Sequence, residues 1–235
     1  MADRDRPLYA VLIDADNIPA KYAGAILKEI TSFGEPALRR VYGDWGSARL
    51  NSWTKVVRDL GLVAHQESAN TVGKNASDIG LVIDAMDILH SGRFDGFVLV
   101  SSDSDFTALA NRVREQGLDV IGIGEQKTPE SLRNVCNRFV LLENIVDEAP
   151  SADKGKAPKK ENPTKAIPLI TRAMEKINTD DEWYPLGQLG QYITRDVPDF
   201  DPRTYGNRKL SDLIKSLSRF ETKQIGNQLH VRRVD

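Results

Sequence analysis

The stretch Tyr9-Ala-Val-Leu-Ile13, followed directly by Asp14-Ala-Asp16-Asn17, decides the predicted fold. A short apolar run that gives way at once to polar residues is typical of a buried strand in a parallel sheet. In such sheets, binding sites form outside the carboxyl ends of the strands. The stretch therefore predicts both the kind of sheet and the edge at which polar side chains would act.

Runs of this kind alternate with helical patterns through the first 145 residues. The predicted strands are 9–13, 37–42, 62–65, 97–100, 118–123 and 138–142, and the predicted helices are 19–32, 47–60, 77–90, 105–116 and 129–136. The clearest apolar stripe is that of helix 77–90, formed by Ile79, Val82, Ile83, Met86 and Leu89. The alternation predicts an α/β fold in which helices cover both faces of a parallel sheet.

The rest of the chain is organised differently. Residues 146–163 contain three prolines and many charges without apolar periodicity, which predicts a flexible linker. The patterns beyond it are helices at 166–177, 186–193 and 210–217, then strands at 220–225 and 228–233 joined by Gly226-Asn227. Three helices followed by a hairpin predict a small C-terminal winged helix-turn-helix domain.

Aspartates follow two of the predicted strands and open one helix. Asp14 ends the first strand, Asp103 and Asp105 follow the fourth, and Asp78 opens helix 77–90. If strands one and four are neighbours, Asp14 and Asp103 lie close together at the carboxyl edge. The chain has one cysteine and three scattered histidines, which excludes a Cys-rich zinc site. Carboxylates alone suit Mg²⁺ or Mn²⁺, ions that promote phosphodiester hydrolysis.

A purely structural interpretation of these residues stays open. Asp103 is placed to cap the following helix, and Ser77 is placed to cap helix 77–90. Asn17 would either orient Asp14 or cap a helix, and Lys74 would either bind a phosphate or be a solvated loop residue. Each residue alone fits the structural role, whereas three acidic segments at one edge favour a functional site.

Two more acids, Asp84 and Asp87, lie on the same predicted helix as Asp78. At about 100° per residue, Asp84 is rotated by about 240° from Asp78, and Asp87 by about 180°. Neither is expected to share the face of Asp78, so both are excluded from the predicted metal ligands. A supporting role for Asp84 stays open if the helix is tilted.

Three motifs resemble those of NYN domains, particularly of the LabA-like branch. They are Asp14-x-x-Asn17, Lys74-x-x-x-Asp78 and Ser102-Asp103-Ser-Asp105-Phe106, within a resemblance that covers about residues 7–145. It implies a PIN-like, Rossmannoid fold and a metal-dependent endoribonuclease that hydrolyses RNA phosphodiester bonds. The implied catalytic and metal-binding residues are Asp14, Asp78, Asp103 and Asp105, supported by Asn17, Ser102 and Lys74. The family commonly has glycine where this chain has Ser102, and Asp16 falls in the variable part of its motif.

The C-terminal part resembles an OST-HTH domain, also called LOTUS, a winged helix associated with RNA binding. The residues that carry the resemblance are Leu186-Gly-Gln-Leu-Gly190, Tyr205-Gly206, Lys209-Leu-Ser-Asp-Leu213 and the final hairpin. The two domains are often fused in bacterial proteins, which implies an NYN domain at 1–145, a linker at 146–163 and an OST-HTH domain at 164–235. The candidate RNA contacts are Arg203, Tyr205, Arg208, Lys209, Lys215, Lys223, Arg232 and Arg233.

The predicted partner is RNA, single-stranded or structured, and pairing of PIN-like folds leaves a homodimer open. Residues 151–235 carry more basic than acidic side chains, which agrees with a polyanionic partner. No run of 18 apolar residues occurs, so the sequence predicts no membrane partner and a cytoplasmic protein. Two alternatives to the ribonuclease remain: a non-catalytic RNA-binding regulatory protein, and a phosphatase that uses Asp14-Ala-Asp16 as its nucleophile motif.

Overall fold

The computed structural model describes residues 5–66, 76–146, 160–177 and 181–234. The chain divides into two units, Met1–Ser151 and Ala152–Asp235. Lys74 and most of the predicted linker, residues 147–159, lie outside the described residues, as does the side chain of Ser77. Within the described part, no helix is long and apolar enough to cross a membrane.

A parallel six-stranded sheet forms the centre of the first unit. Its strands are β1 (Leu8–Asp14), β2 (Glu35–Gly43), β3 (Val63–Gln66), β4 (Gly96–Val100), β5 (Asp119–Gly124) and β6 (Arg138–Leu141). The strand order is β3-β2-β1-β4-β5-β6, and every neighbouring pair is parallel. The predicted α/β fold is confirmed, and β1 and β4 are neighbours. Because the chain moves outward in opposite directions from this pair, the carboxyl ends of β1 and β4 flank the topological switch point.

Helices connect these strands. They are α1 (Ala23–Ile30), α2 (Asn51–Asp59), α3 (Ala76–His90), α4 (Thr107–Glu115), α5 (Glu130–Val135) and α6 (Leu142–Val146). Short 3₁₀ turns, Ala20–Tyr22, Ala48–Leu50 and Ser104–Phe106, precede α1, α2 and α4. Gly61 and Gly117 follow α2 and α4 with φ of 61° and 77°, a conformation that suits glycine at a helix end. Helix α6 is the one described helix of this unit that the sequence patterns did not predict.

The buried residues form two apolar layers, one on each face of the sheet. Strand β1 supplies Val11 and Ile13 to one layer and Ala10 and Leu12 to the other, as the alternation of a strand requires. A strand that contributes apolar side chains to both layers must be apolar throughout. This burial explains the uninterrupted apolar run on which the prediction of a parallel sheet depended.

The predicted apolar stripe of α3 was wrong in part. Ile79 and Ile83 are 61% and 59% exposed, whereas Leu81, Ala85 and Ile88 are buried against the sheet. These buried residues also recur at helical spacing, but the predicted stripe left out all three of them, including a small alanine. Because α3 carries apolar residues around most of its circumference, its periodicity alone could not identify the buried face.

The second unit combines helices with a three-stranded antiparallel sheet. Its elements are α7 (Ile167–Lys176), β7 (Tyr184–Pro185), α8 (Leu186–Asp196), α9 (Leu210–Lys215), β8 (Phe220–Ile225) and β9 (Gln228–Arg233), with 3₁₀ turns at Pro163–Ala166 and Pro202–Tyr205. The sheet order is β7-β9-β8. The three helices and the hairpin agree with the predicted winged-helix layout, and Gly226 has φ of 58° at the tip. Strand β7 was not predicted, because two residues carry no periodicity.

Candidate active site

Asp14 is the most tightly held acid at the carboxyl edge of the sheet. It is 1% exposed and forms hydrogen bonds through both carboxylate oxygens. The backbone N–H groups of Asp16 and Asn17 donate to Oδ1 at 3.1 and 3.2 Å. Asn17 Nδ2 and Ser101 Oγ donate to Oδ2 at 2.6 and 2.8 Å. The four donors fix the carboxylate in one orientation, and they disfavour Asp14 as the nucleophile of a phosphatase.

Asp103 follows β4 on the other side of the switch point. Its backbone N–H donates to Ser101 Oγ at 3.1 Å, and its Oδ1 accepts a hydrogen bond from the N–H of Asp105 at 2.9 Å. Asp103 is therefore the N-cap of the 3₁₀ turn Ser104–Phe106. The capping role and a functional role do not exclude each other, because the cap uses one carboxylate oxygen.

Ser102 forms a hydrogen bond within the fold. Its Oγ accepts a hydrogen bond from the N–H of Glu125 at 2.9 Å, which ties the end of β4 to the end of β5. Ser102 is 9% exposed. This hydrogen bond is a structural tie between two strands, and the supporting role of Ser102 at the site stays a prediction.

The acids from these segments lie close enough to interact electrostatically. Burial raises the pKa of Asp78, and the charges of Asp14, Asp103, Asp105 and Asp16 raise it further, to about 6. Burial also raises the pKa of Asp14, although the hydrogen bonds from Asn17 and Ser101 act in the opposite direction. Mutual repulsion of this kind is relieved when a cation binds among the carboxylates. We call Asp14, Asp16, Asp78, Asp103 and Asp105 the acidic cluster.

The acidic cluster offers the oxygen ligands that a hard divalent cation prefers, but it does not form a closed cage around an ion. Among the described residues, no group of three or more His, Cys, Asp or Glu side chains is arranged to hold a metal directly. Mg²⁺ commonly binds through one or two carboxylates and keeps several waters, so it does not need such a cage. Carboxylate oxygens that repel one another fit this mode of binding.

A cavity of about 350 Å³ lies beside Asp16, the one member of the acidic cluster in its lining. Its lining also includes Asn17, Lys21, Arg49 and the buried Trp53. The Arg49 side chain is 78% exposed, and its Nη2 lies 3.6 Å from Asp16 Oδ1. The cavity thus presents cations beside Asp16. The sequence patterns missed Lys21 and Arg49, because exposed cations in two separate segments carry no signal that distinguishes them from solvated residues.

Asp84 belongs to a different network on α3. Its carboxylate is paired with Arg40 and accepts a hydrogen bond from the hydroxyl of Tyr42. Burial acts to raise the pKa of Asp84, but these two partners lower it below its usual value. Both partners lie on β2. Asp84 is therefore held by Arg40 and Tyr42 of β2, a structural role that differs from the supporting role at the site that a tilted helix would have allowed.

The candidate RNA contacts of the second unit differ in availability. Arg203 donates from Nε and Nη2 to Asp201, a buried carboxylate, with an Nη2–Oδ2 distance of 2.7 Å. Tyr205 is half-buried, and its ring centroid lies 5.9 Å from that of Phe200. This geometry gives both residues roles in the domain core and argues against their selection as RNA contacts. The candidates with exposed side chains are Arg208, Lys209, Lys215, Lys223 and Arg233.

Arg232 lies on the outer face of the small sheet. It forms ion pairs with Glu221 at 2.8 Å and Glu182 at 3.3 Å. Its guanidinium carbon lies 4.9 Å from the ring centroid of Trp183, and Lys223 Nζ lies 5.8 Å from the same centroid. The ring of Trp183, a residue outside the sequence motifs, therefore lies near two of the candidate cations on one face of the β8–β9 hairpin.

Comparison with known proteins supports both domains. An NYN domain family matches residues 9–143, and an OST-HTH/LOTUS domain family matches residues 158–231. No curated protein matches the chain. A Vibrio parahaemolyticus protein of unknown function has a similar structure at 20% identity, with a TM-score of 0.51, over 60% of this chain and 96% of that one. At that identity the likeness supports the fold alone.

Two other solved structures give weaker matches. An uncharacterized protein from Nitrosomonas europaea is 30% identical over 37% of this chain and 86% of that one, with a TM-score of 0.27. Acinetobacter baumannii MurG is 12% identical over 83% of this chain and 65% of that one, with a TM-score of 0.40. Neither TM-score supports an argument about this protein. The family matches lead to the assignment that the chain belongs to the NYN family of the PIN-like nuclease superfamily and, with its OST-HTH/LOTUS domain, is a nuclease-type RNA-binding protein.

Proposed function

We propose that the protein is a metal-dependent endoribonuclease whose acidic cluster hydrolyses RNA phosphodiester bonds. The observation that supports this most is the convergence of Asp14, Asp103, Asp105 and Asp78 at the switch point between β1 and β4. These acids come from three separate segments of the chain. Open α/β sheets bind their ligands at this point. The OST-HTH domain supports RNA as the substrate class.

The proposed metal ligands are Asp14, Asp78, Asp103 and Asp105, and the proposed ion is Mg²⁺ or Mn²⁺. A bound ion of this kind supplies a nucleophilic water at neutral pH and neutralises charge on the phosphate. The chain's own contribution is to hold the carboxylates in place. Asn17 and Ser101 orient Asp14, and the hydrogen bond from Asp105 N–H orients Asp103.

Arg49 and Lys21 are the proposed phosphate-positioning residues. An RNA backbone that reaches the acidic cluster is itself anionic, so it needs cations beside the carboxylates. Both side chains line the cavity that begins at Asp16. A guanidinium also binds phosphate oxygens through two parallel hydrogen bonds, which would hold the backbone next to the cluster. Lys74 remains a proposed third cation on the strength of its motif alone.

Cleavage of labelled single-stranded RNA tests this proposal. Wild type and Asp103→Asn would each be incubated with Mn²⁺, Mg²⁺ or EDTA. Asparagine caps a helix as well as aspartate does, so Asp103→Asn should fold normally while losing a metal ligand. We expect metal-dependent cutting by wild type and none by the variant. RNA binding by both proteins without cutting by either would instead support a non-catalytic RNA-binding regulatory protein.

A further inference from the structure

Three arginines converge on a groove in the second unit. The groove has a volume of about 480 Å³ and lies between α7 and the open end of the β8–β9 hairpin. Arg172 comes from α7, Arg219 precedes β8, and Arg233 ends β9. Ile167 and Pro168 form an apolar part of its wall. Helix α9 contributes nothing to this lining, so the groove and α9 are separate surfaces.

The hairpin fixes two of these arginines side by side. Phe220 pairs with Arg233 across the strands, and the N–H of Val234 donates to the carbonyl oxygen of Arg219 at 2.9 Å. Successive side chains of a strand point to opposite faces. Arg232 is therefore directed to the outer face, where Trp183 lies, while Arg233 lines the groove. The two neighbouring arginines belong to different surfaces.

The groove has an excess of positive charge. Guanidinium groups stay charged at all physiological pH values, and the one acid in the lining is Glu175. Asp196 lies within electrostatic range of Arg172, but its carboxylate is paired with Lys176. The rigid fork of each guanidinium matches a phosphate group.

We propose that the groove formed by Arg172, Arg219 and Arg233 binds backbone phosphates of RNA, as a second contact surface of the C-terminal domain. The proposal rests on RNA binding by this domain and does not depend on cleavage by the acidic cluster. Phosphate contacts give affinity without reading bases, so this surface would strengthen binding to any RNA sequence. RNA bound there would also reach beyond the β8–β9 hairpin and α9.

The salt dependence of RNA binding tests whether the groove binds backbone phosphates. Fluorescence anisotropy of labelled single-stranded RNA would be measured in EDTA at several salt concentrations for the full chain and for Arg172→Ala/Arg219→Ala. Arg195→Ala, which removes an exposed arginine of α8 outside the groove, is the matched control. We expect the double variant to bind RNA about tenfold more weakly. The slope of log K against log salt concentration should fall in magnitude by about 1.4, because each of the two lost phosphate contacts removes about 0.7. The control should match wild type.

The same experiment can overturn the proposal. A double variant with wild-type affinity and slope would exclude the groove, as would a chain that binds no RNA at any salt concentration. Thermal unfolding of each variant separates lost binding from lost folding, and Arg172→Lys/Arg219→Lys should retain most of the slope because the charges remain. Metal-dependent cutting is scored separately in wild type and Asp103→Asn. A failed groove and a failed nuclease proposal are therefore distinguishable.

Discussion

Ser101 Oγ donates a 2.8 Å hydrogen bond to Asp14 Oδ2 and accepts one from the backbone N–H of Asp103 at 3.1 Å. One hydroxyl thus links the end of β1 to the loop that follows β4, across the switch point of the sheet. Ser101 is buried, so water cannot replace the bond to Asp14 without rearrangement. The proposed metal ligands on the two strands are held in register by this serine.

Ser101→Ala should weaken metal binding without removing a ligand. Partners that orient metal ligands typically contribute about 10- to 100-fold to affinity or activity, so we expect the Mn²⁺ concentration for half-maximal cleavage to rise about tenfold. A titration of cleavage rate against Mn²⁺ measures this. Ser104→Ala, an exposed serine in the same loop, is the control. Equal Mn²⁺ requirements for wild type and Ser101→Ala would contradict the linking role.

Asp78→Asn should stabilise the metal-free protein at neutral pH. The folded-state pKa of Asp78, about 6, lies above the ordinary value of 3.8, so ionisation of Asp78 works against folding as pH rises between these values. Asparagine cannot ionise and avoids this loss. The Tm difference between Asp78→Asn and wild type in EDTA should therefore be small at pH 4 and increase towards pH 7. A Tm difference that stays constant with pH would show that the pKa of Asp78 is not raised in the folded protein.

Arg49→Ala should raise KM for RNA about tenfold while kcat changes little, the expected loss for removal of one phosphate contact. The reason is that Arg49 positions the backbone and holds no metal ligand in place by itself. Steady-state cleavage kinetics measure both constants. Arg58→Ala removes an exposed arginine of α2 that does not line the cavity and should leave both constants unchanged. A fall in kcat at constant KM would contradict a positioning role.

Arg203→Ala should destabilise the C-terminal domain by roughly 3 kcal/mol, because it leaves the buried carboxylate of Asp201 without its guanidinium partner. Thermal unfolding measures the loss. Arg208→Ala, at an exposed neighbouring position, should leave the Tm unchanged but weaken RNA binding. An Arg203→Ala variant that keeps its Tm and loses RNA affinity would restore Arg203 as an RNA contact.

The sequence predicted most of the fold because burial and apolar pattern agree along the strands. Strand β1 is buried on both faces, and the hairpin at 220–233 has the predicted bounds. The pattern failed on α3, where Ile79 and Ile83 are exposed, because apolar residues surround the helix. It also could not distinguish Arg203 from Arg208, since the ion pair with Asp201 depends on a local turn and not on residue type.

The acidic cluster was predictable for a similar reason, and its surroundings were not. Strand ends at one edge of a parallel sheet converge by topology, so Asp14 and Asp103 could be paired from the strand order alone. The hydroxyl of Ser101 and the cavity cations Lys21 and Arg49 depend on side-chain directions and on contacts between distant segments. No periodicity or spacing in the sequence encodes those contacts.

The central claim is tested most directly by two matched variants on α3, Asp78→Asn in the acidic cluster and Asp87→Asn on the exposed face. Each removes one carboxylate from the same helix, so the two variants are matched in position on α3, and thermal unfolding of each accounts for any difference in stability. Cleavage of labelled RNA in Mn²⁺ is the measurement. We predict that Asp87→Asn cuts like wild type and that Asp78→Asn cuts at least 100-fold more slowly, roughly the loss of one essential group. Equal cutting by the two variants would contradict a metal-dependent nuclease site at the acidic cluster.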